Sequence, residues 1–391
     1  MNGRFVSNVL RPADVESVIE RSQELRSEVR AFLAEELAAG RFTPRADAWL
    51  TGWDESFSRR LGERGWLGMT LPTEYGGGGH SPIERFAVTE ELLAASAPVA
   101  AHWIADRQSA PSILRFGTEE QRRTYLPGIA RGEIYFGIGM SEPDSGSDLA
   151  SVRTRGSRVD GGWRLSGTKV WTSGAHHAHA FVVLARTAPL DLQHRHDGLS
   201  QFIVDLTAPG VTIGPIRLIS GEHHFNQVIL DEVFVPDGRV LGEIGDGWRQ
   251  VTSELAFERS GPERFLSTYP LLALLTDSVA RSADGRGRRE LGSLLARLTT
   301  LREMSLDVAT ALATGRSMDV PAALVKDLGT TFEGDVVDVA RTLLEEEPDP
   351  GAADELTRIL AQAILHTPGF TIRGGTNEIL RGVIARGMGV R

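Results

Sequence analysis

The hydrophobic period of the chain changes twice, and this limits the fold more than any other feature of the sequence. Over the first 133 residues apolar side chains recur at helical spacing. Leu25, Val29, Phe32, Leu33 and Leu37 share one face of a helix predicted over residues 16–39, with Gly40 as its stop. Further helices are expected over residues 53–64, 82–97 and 118–129, the last opened by Thr118-Glu119-Glu120-Gln121 as a capping box. From Ile134 to about Val240 the pattern turns to short apolar runs, among them Phe181 to Leu184, Phe202-Ile203-Val204 and Val233 to Val235. Turn residues such as Ala208-Pro209-Gly210 and Pro236-Asp237-Gly238 punctuate them. Ser166-Gly167-Thr168, between Trp163-Arg164-Leu165 and Lys169-Val170-Trp171, reads as a hairpin turn. Helical periodicity returns after Gly247, where Leu291, Leu294, Leu295, Leu298 and Leu301 line one face, and a polar break covers residues 345–354. Helices, strands and helices in that order predict an α+β fold: a helical domain over 1–133, a small β-sandwich or barrel over 134–243 and a helical bundle over 244–391.

Several functions are disfavoured at once. A net charge of −10 argues against a nucleic-acid partner. The chain has no cysteine, which removes thiolate catalysis, thiolate metal sites and disulfides, and fits a cytoplasmic location. No run of about 18 apolar residues exists, and the first residues lack an apolar stretch behind a basic one, so neither a membrane span nor a secretory signal is expected. A G-x-G-x-x-G turn after a first strand, a P-loop and a G-x-S-x-G elbow are all missing. His176, His177 and His179, and then His223 and His224, lack metal-ligand spacing and read as loop or strand-edge residues; no metal is expected. Asp106 and Arg107, near His102, fall in a helix suited either to lining a tunnel or to ordinary packing.

Two stretches carry the chemistry. Met140-Ser141-Glu142-Pro143-Asp144-Ser145-Gly146-Ser147-Asp148 offers small residues, whose backbone admits a ligand closely, and hydroxyls that donate to phosphate. Lys169-Val170-Trp171-Thr172-Ser173-Gly174 sets a tryptophan beside hydroxyl residues, fit to cover a flat ring and donate to its edge. A turn followed by a core tryptophan is the plainer reading of the same residues.

Together these stretches resemble the acyl-CoA dehydrogenase family. So do Gly65-Trp66-Leu67-Gly68, Pro72-Thr73-Glu74-Tyr75-Gly76-Gly77, Phe116-Gly117-Thr118-Glu119-Glu120-Gln121, Asp231-Glu232-Val233-Phe234-Val235-Pro236 and Gly374-Gly375-Thr376-Asn377-Glu378-Ile379, in the family's order from about Arg21 to Gly389. The resemblance implies a helical domain, a small β-domain and a C-terminal four-helix bundle, with FAD as cofactor. It implies cofactor contacts at Ile138, Met140, Ser141, Gly146, Ser147, Trp171, Ser173, Thr376 and Glu378, and substrate contacts at Ser147, Arg259 and Gly375. The substrate implied is an acyl thioester, on CoA or a carrier protein, with electrons passed to an electron-transfer flavoprotein. A homodimer or homotetramer is expected.

Two departures from the family pattern bear on mechanism. Most members place a catalytic Glu immediately before the Gly-Thr of the last turn; Gly374 stands there. A minority place it on an earlier helix before an Arg, which Leu255-Ala256-Phe257-Glu258-Arg259 resembles, so Glu258 is the expected base. Glu254 is its main rival, Glu263 follows a Gly-Pro break, and Glu142 reads as structural. Residues 277–289 and 340–354 also lack the family's segments for the neighbouring subunit's FAD. This resembles a branch in which two different chains pair, leaving the adenosine half of the site in doubt. A flavoprotein oxidase or monooxygenase on the same fold, and a supporting subunit, are the alternatives to a dehydrogenase.

Overall fold

A computed structural model describes residues 12–282, 285–314, 316 and 318–390; the side chains of residues 12–17, 19 and 254–258 lie outside that description. In chain order the helices are α1 (Pro12–Ala38), α2 (Ala48–Thr51), α3 (Glu55–Glu63), α4 (Pro82–Ala94), α5 (Ala100–Ile104), α6 (Ala110–Phe116) and α7 (Glu119–Ala130). After the strands come α8 (Gly247–Glu258), α9 (Tyr269–Arg281), α10 (Gly285–Ala313), α11 (Asp319–Leu343), α12 (Glu355–Phe370) and α13 (Asn377–Gly387). The strands are β1 (Phe136–Gly139), β2 (Arg155–Val159), β3 (Gly162–Ser173), β4 (Ala180–Arg186), β5 (Leu199–Asp205), β6 (Val211–Ile216), β7 (Phe225–Pro236) and β8 (Val240–Leu241). The chain packs as two compact units: a sheet-bearing one of Leu50–Gly79 and Pro98–Leu255, and a helical one holding the rest of the described chain.

Helix limits follow local chemistry. The Thr118 hydroxyl accepts from Gln121 N–H while the Gln121 side chain returns to the Thr118 N–H, so α7 opens on the predicted capping box. Gly40 and Gly65, both left-handed, follow the ends of α1 and α3. Two apolar stripes are narrower than the sequence pattern predicts. Leu37 on α1 and Leu295 on α10 stay exposed while Leu291, Leu294 and Leu301 are buried, because one seam at spacings of three and four suffices for packing on neighbouring helices. In the helical unit α4 packs on α1 and α10, and its Glu90 and Glu91 meet Arg26 of α1, with Arg302 of α10 also on Glu90.

The sheet-bearing unit folds its strands in the order β6-β7-β3-β2-β4-β5-β8, with β1 on β4. Its halves join at one bridge, Arg155 with Arg186, and side chains of β3, β4, β5 and β7 fill a shared apolar core that includes Leu165, Phe181, Phe202 and Val233. The expected hairpin at Ser166-Gly167-Thr168 is a correction: β3 runs straight through it. Gly167 marks a register irregularity and a close approach, since a Cβ there would lie 2.4 Å from Thr154 Oγ1. The true hairpin turn is Asp160-Gly161, joining β2 to β3 with Val159 opposite Gly162.

Helix α5 continues into α6 through a π-type turn, Ala105–Ser109. Asp106 and Arg107 pack there: the Asp106 carboxylate accepts from Gly68 N–H at 2.7 Å and Arg107 lies over Trp103. His102 is buried with Nδ1 2.8 Å from Ser58 Oγ, and burial pushes the imidazole down to about 4. The unfolded chain takes up this proton below about pH 6.5, the folded chain only near pH 4, so stability is lost as pH falls through that window. Denaturant titrations from pH 7 to 4 should show His102→Gln losing roughly 3 kcal/mol less than the parent. Parallel pH profiles would contradict this.

Candidate functional site

The two chemistry-bearing stretches meet in the sheet-bearing unit. Ile138 lies on β1, paired with Val182 of β4, and Met140 and Ser141 leave its end. The fully buried Lys169 of β3 reaches across and donates to the Met140 carbonyl at 3.0 Å and to Glu142 Oε1 at 2.8 Å. The Glu142 carboxylate also accepts from the N–H groups of Arg153 and Thr154 at 2.7 and 2.8 Å. Burial lowers Lys169 to about 8 against the pull of Glu142. For Glu142 burial works upward, yet Lys169 and the backbone donors prevail and hold the carboxyl below its ordinary value. This pair welds the Met140–Glu142 segment to β3, and it confirms Glu142 as structural. A lysine flanked by Thr168 and Val170, two residues before the tryptophan, is the only sequence signal for it.

Beyond Lys169 the pairing of β3 with β7 slips. Lys169 stands opposite Val228 and Thr172 opposite Asn226, so Val170 and Trp171 together face Gln227, which is a β-bulge. Val170 N–H donates to the Ser141 carbonyl at 2.9 Å. Trp171 takes the left-handed conformation, φ +62°, and its side chain is 53% exposed with Phe225 edge-on beside it. For a bulky residue this backbone costs about 1–3 kcal/mol and persists only where the surroundings over-determine it. A strained, half-exposed indole is suited to being covered by a planar ligand. Ser141 and Ser173 flank it half-buried, Ser147 is exposed, and the position of a Cβ on Gly146 would meet nothing within 4 Å. The loop carrying Gly146 and Ser147 is anchored beyond them by Arg186, which donates to the Ala150 carbonyl at 2.7 Å, and by Arg195, which reaches Asp148 and Ser151 at 2.7 Å. These residues fit the ring and phosphate ends of FAD.

The remaining expected site residues belong to the helical unit. Glu258 ends α8, but its side chain, like that of Glu254, lies outside the described residues. Arg259 follows, and a Cβ built on Gly375 would lie 3.5 Å from its guanidinium, so these two candidate substrate residues adjoin. Thr376 caps α13 by accepting from Ile379 N–H, and Glu378 occupies the first exposed turn. Gly374 has φ +67°, and the Arg264 guanidinium sits 2.8 Å from where its Cβ would be. A side chain at 374 therefore meets both backbone strain and a buried arginine, which accounts for the glycine where most of the family carries its base.

Members of the two expected histidine groups meet, while His179 lies against Tyr135 and His224 against Phe225. His176 stacks on His223, ring centroids 4.2 Å apart, and meets His177 at a tilt, centroids 4.0 Å apart. Among the described residues no three imidazole or carboxylate groups are placed to hold a metal ion, and no helix is long and apolar enough to cross a membrane.

The family models agree along the sequence: the acyl-CoA dehydrogenase N-terminal domain matches residues 19–133, the middle domain 137–233 and the C-terminal domain 277–389. The chain belongs to the acyl-CoA dehydrogenase family. Its fold is accordingly a helical domain, a middle β-domain and a C-terminal helical domain, and it is an oxidoreductase of a flavoprotein family. Acyl-CoA dehydrogenase FadE34 of Mycobacterium tuberculosis is 37% identical over 83% of this chain, a match spanning 44% of that longer protein. The solved Tcur3481-Tcur3483 steroid ACAD is 29% identical with TM-score 0.82, covering 98% of this chain and 99% of the other. The ChsE4-ChsE5 complex from Mycobacterium tuberculosis is 27% identical with TM-score 0.77, covering 98% of each chain.

Removing Lys169 leaves Glu142 buried without its counter-ion. Lys169→Met should cost about 3–5 kcal/mol in chemical denaturation, and adding Glu142→Gln should recover much of it. A single variant as stable as the parent would contradict the structural weight given to this pair.

Proposed function

We propose that the protein is an FAD-dependent dehydrogenase that removes hydrogen from the α and β carbons of an acyl thioester, with Glu258 as the α-proton base. The observation that carries this reading is the bulge at Trp171, a strained indole held beside Ser141 and Ser173 in a flavoprotein family. Bound FAD supplies a two-electron acceptor for the β-hydride. Ile138, Met140, Ser141, Trp171 and Ser173 would hold its ring; Gly146 and Ser147 its phosphates, with Ser147 also near substrate; and Thr376 and Glu378 would make further contacts.

Glu258 takes the α-proton. A carboxylate in an apolar setting has its pKa raised toward working pH, which suits a weakly acidic carbon. The Arg259 guanidinium, beside Gly375, supplies positive charge for the thioester carbonyl as the α-carbon loses its proton. The substrate is a CoA thioester or its carrier-bound counterpart, and the likeness to a steroid ACAD favours a bulky, ring-bearing acyl group over a straight chain. Electrons pass to a separate flavoprotein acceptor, and the enzyme works in the cytoplasm.

Assembly with a homologous second chain is the reading favoured by the likeness to the ChsE4-ChsE5 complex. The chain itself also lacks the family's usual segments for a neighbour's FAD at 277–289 and 340–354. A homo-oligomer that retains stoichiometric FAD on its own would overturn that assembly.

The protein purified together with its partner chain should be yellow and bleach anaerobically on addition of acyl-CoA. Glu258→Gln should keep its flavin and bleach roughly 10²–10⁴-fold more slowly in stopped flow. Bleaching at the parent rate would remove Glu258 from the mechanism, and steady peroxide release in air would favour an oxidase.

A further inference from the structure

Behind the Trp171 bulge lies a side chain to which the reaction gives no part. Asn226, on β7 opposite Thr172, is fully buried. Its Nδ2 donates to the Thr172 carbonyl at 3.0 Å. A carbonyl only accepts, so this contact sets which end of the amide is nitrogen. The same Nδ2 lies 3.0 Å from His176 Nδ1, which must therefore accept and carry its proton on Nε2. On the other side Asn226 Oδ1 is 2.9 Å from His223 Nε2, which donates to it. The His176 and His223 rings then stack, 21° from parallel. Burial, reinforced by His177 and His223, pushes His176 down to about 4, in keeping with its role as a neutral acceptor.

The Trp171 conformation needs ties on both sides. On one side Val170 N–H holds to the Ser141 carbonyl; on the other, the Thr172 carbonyl holds to Asn226 and Gly174 N–H to the His224 carbonyl. Asn226 joins the bulged strand to the imidazole pair through side-chain atoms. Aspartate would lack both N–H donors, serine would not span the gap, and glutamine would carry the amide one methylene too far.

We propose that Asn226 is a positioning residue for the flavin-facing bulge: its amide, oriented by His176 and His223, fixes the Thr172 carbonyl and with it the pose of Trp171. This rests on the reading that Trp171 packs against FAD. It adds a set of residues, from β7 and from the turns before it and after β3, that governs the flavin face without touching it.

The test uses the full chain, with and without FAD. In cofactor-free protein Asn226→Ala should exchange the amide protons of Val170 to Gly174 about tenfold faster or more, with β4 and β5 unchanged, as loss of a buried hydrogen bond predicts. With FAD, the same variant should bind the cofactor about tenfold more weakly and change the visible circular dichroism of the flavin. Gln121→Ala is the control, a buried amide elsewhere in the unit that bridges the Gly238 and Val240 carbonyls. It should lose thermal stability while leaving both signals at parent values. Should Asn226→Ala not fold, His223→Phe keeps a ring in the stack and removes the donor, and should shift both signals in the same direction by a smaller factor.

Parent-like exchange and circular dichroism in Asn226→Ala, or in His223→Phe if that is the variant that folds, would overturn the proposal. So would Gln121→Ala moving both signals equally. If the parent protein binds no FAD even with its partner chain, the functional reading fails instead, and the exchange experiment still decides the role of Asn226.

Discussion

A buried lysine paired with a buried glutamate organises the sheet-bearing unit. Without Lys169, Glu142 would be a carboxylate sealed from water with only two backbone N–H groups for company. With it, the pair fixes the exit of β1 against β3 at the point where β3 begins to bulge. A buried ion pair is seldom a source of net stability, because desolvation offsets its attraction. Its effect here is one of placement: Lys169 also holds the Met140 carbonyl, so two segments 29 residues apart in sequence keep one relative geometry.

Strain follows from that placement. Trp171 is forced into the left-handed region because two residues of β3 must pass one of β7 between well-paired neighbours. The bulge turns a strand residue outward and leaves its indole half in water, a costly arrangement that a monomeric core has no use for. Something comparable holds in the helical unit. Gly374 and Gly375 are both left-handed, and Arg264 fills the space a side chain at 374 would need. The turn that carries a base in most of the family is thus closed to one here, and the catalytic role passes to the end of α8 in our proposal.

Much of this was legible in the sequence, for identifiable reasons. Caps and glycines announce helix ends because they satisfy orphan backbone groups or accept positive φ, and Thr118, Gly40 and Gly65 did so. The segments around Ser141 and Trp171 could be paired in advance only through resemblance, since spacing says nothing about a carbonyl and a lysine meeting across a sheet. Ser166-Gly167-Thr168 misled because a glycine needed for close approach to Thr154 looks the same as a glycine needed for a turn. Leu295 misled because periodicity marks a face without saying how much of it is covered. The union of His176 with His223, and the role of Asn226 between them, depend on a pairing register that no local pattern encodes.

In the proposed function the corner made by Met140, Ser141 and the Trp171 bulge seats an isoalloxazine ring. A crystal structure of the FAD-bound protein tests it most directly. The ring should lie against the Trp171 indole, with Ser141 and Ser173 at its polar edge and the bulge unchanged. A ring bound elsewhere, with Trp171 still facing solvent, would contradict it.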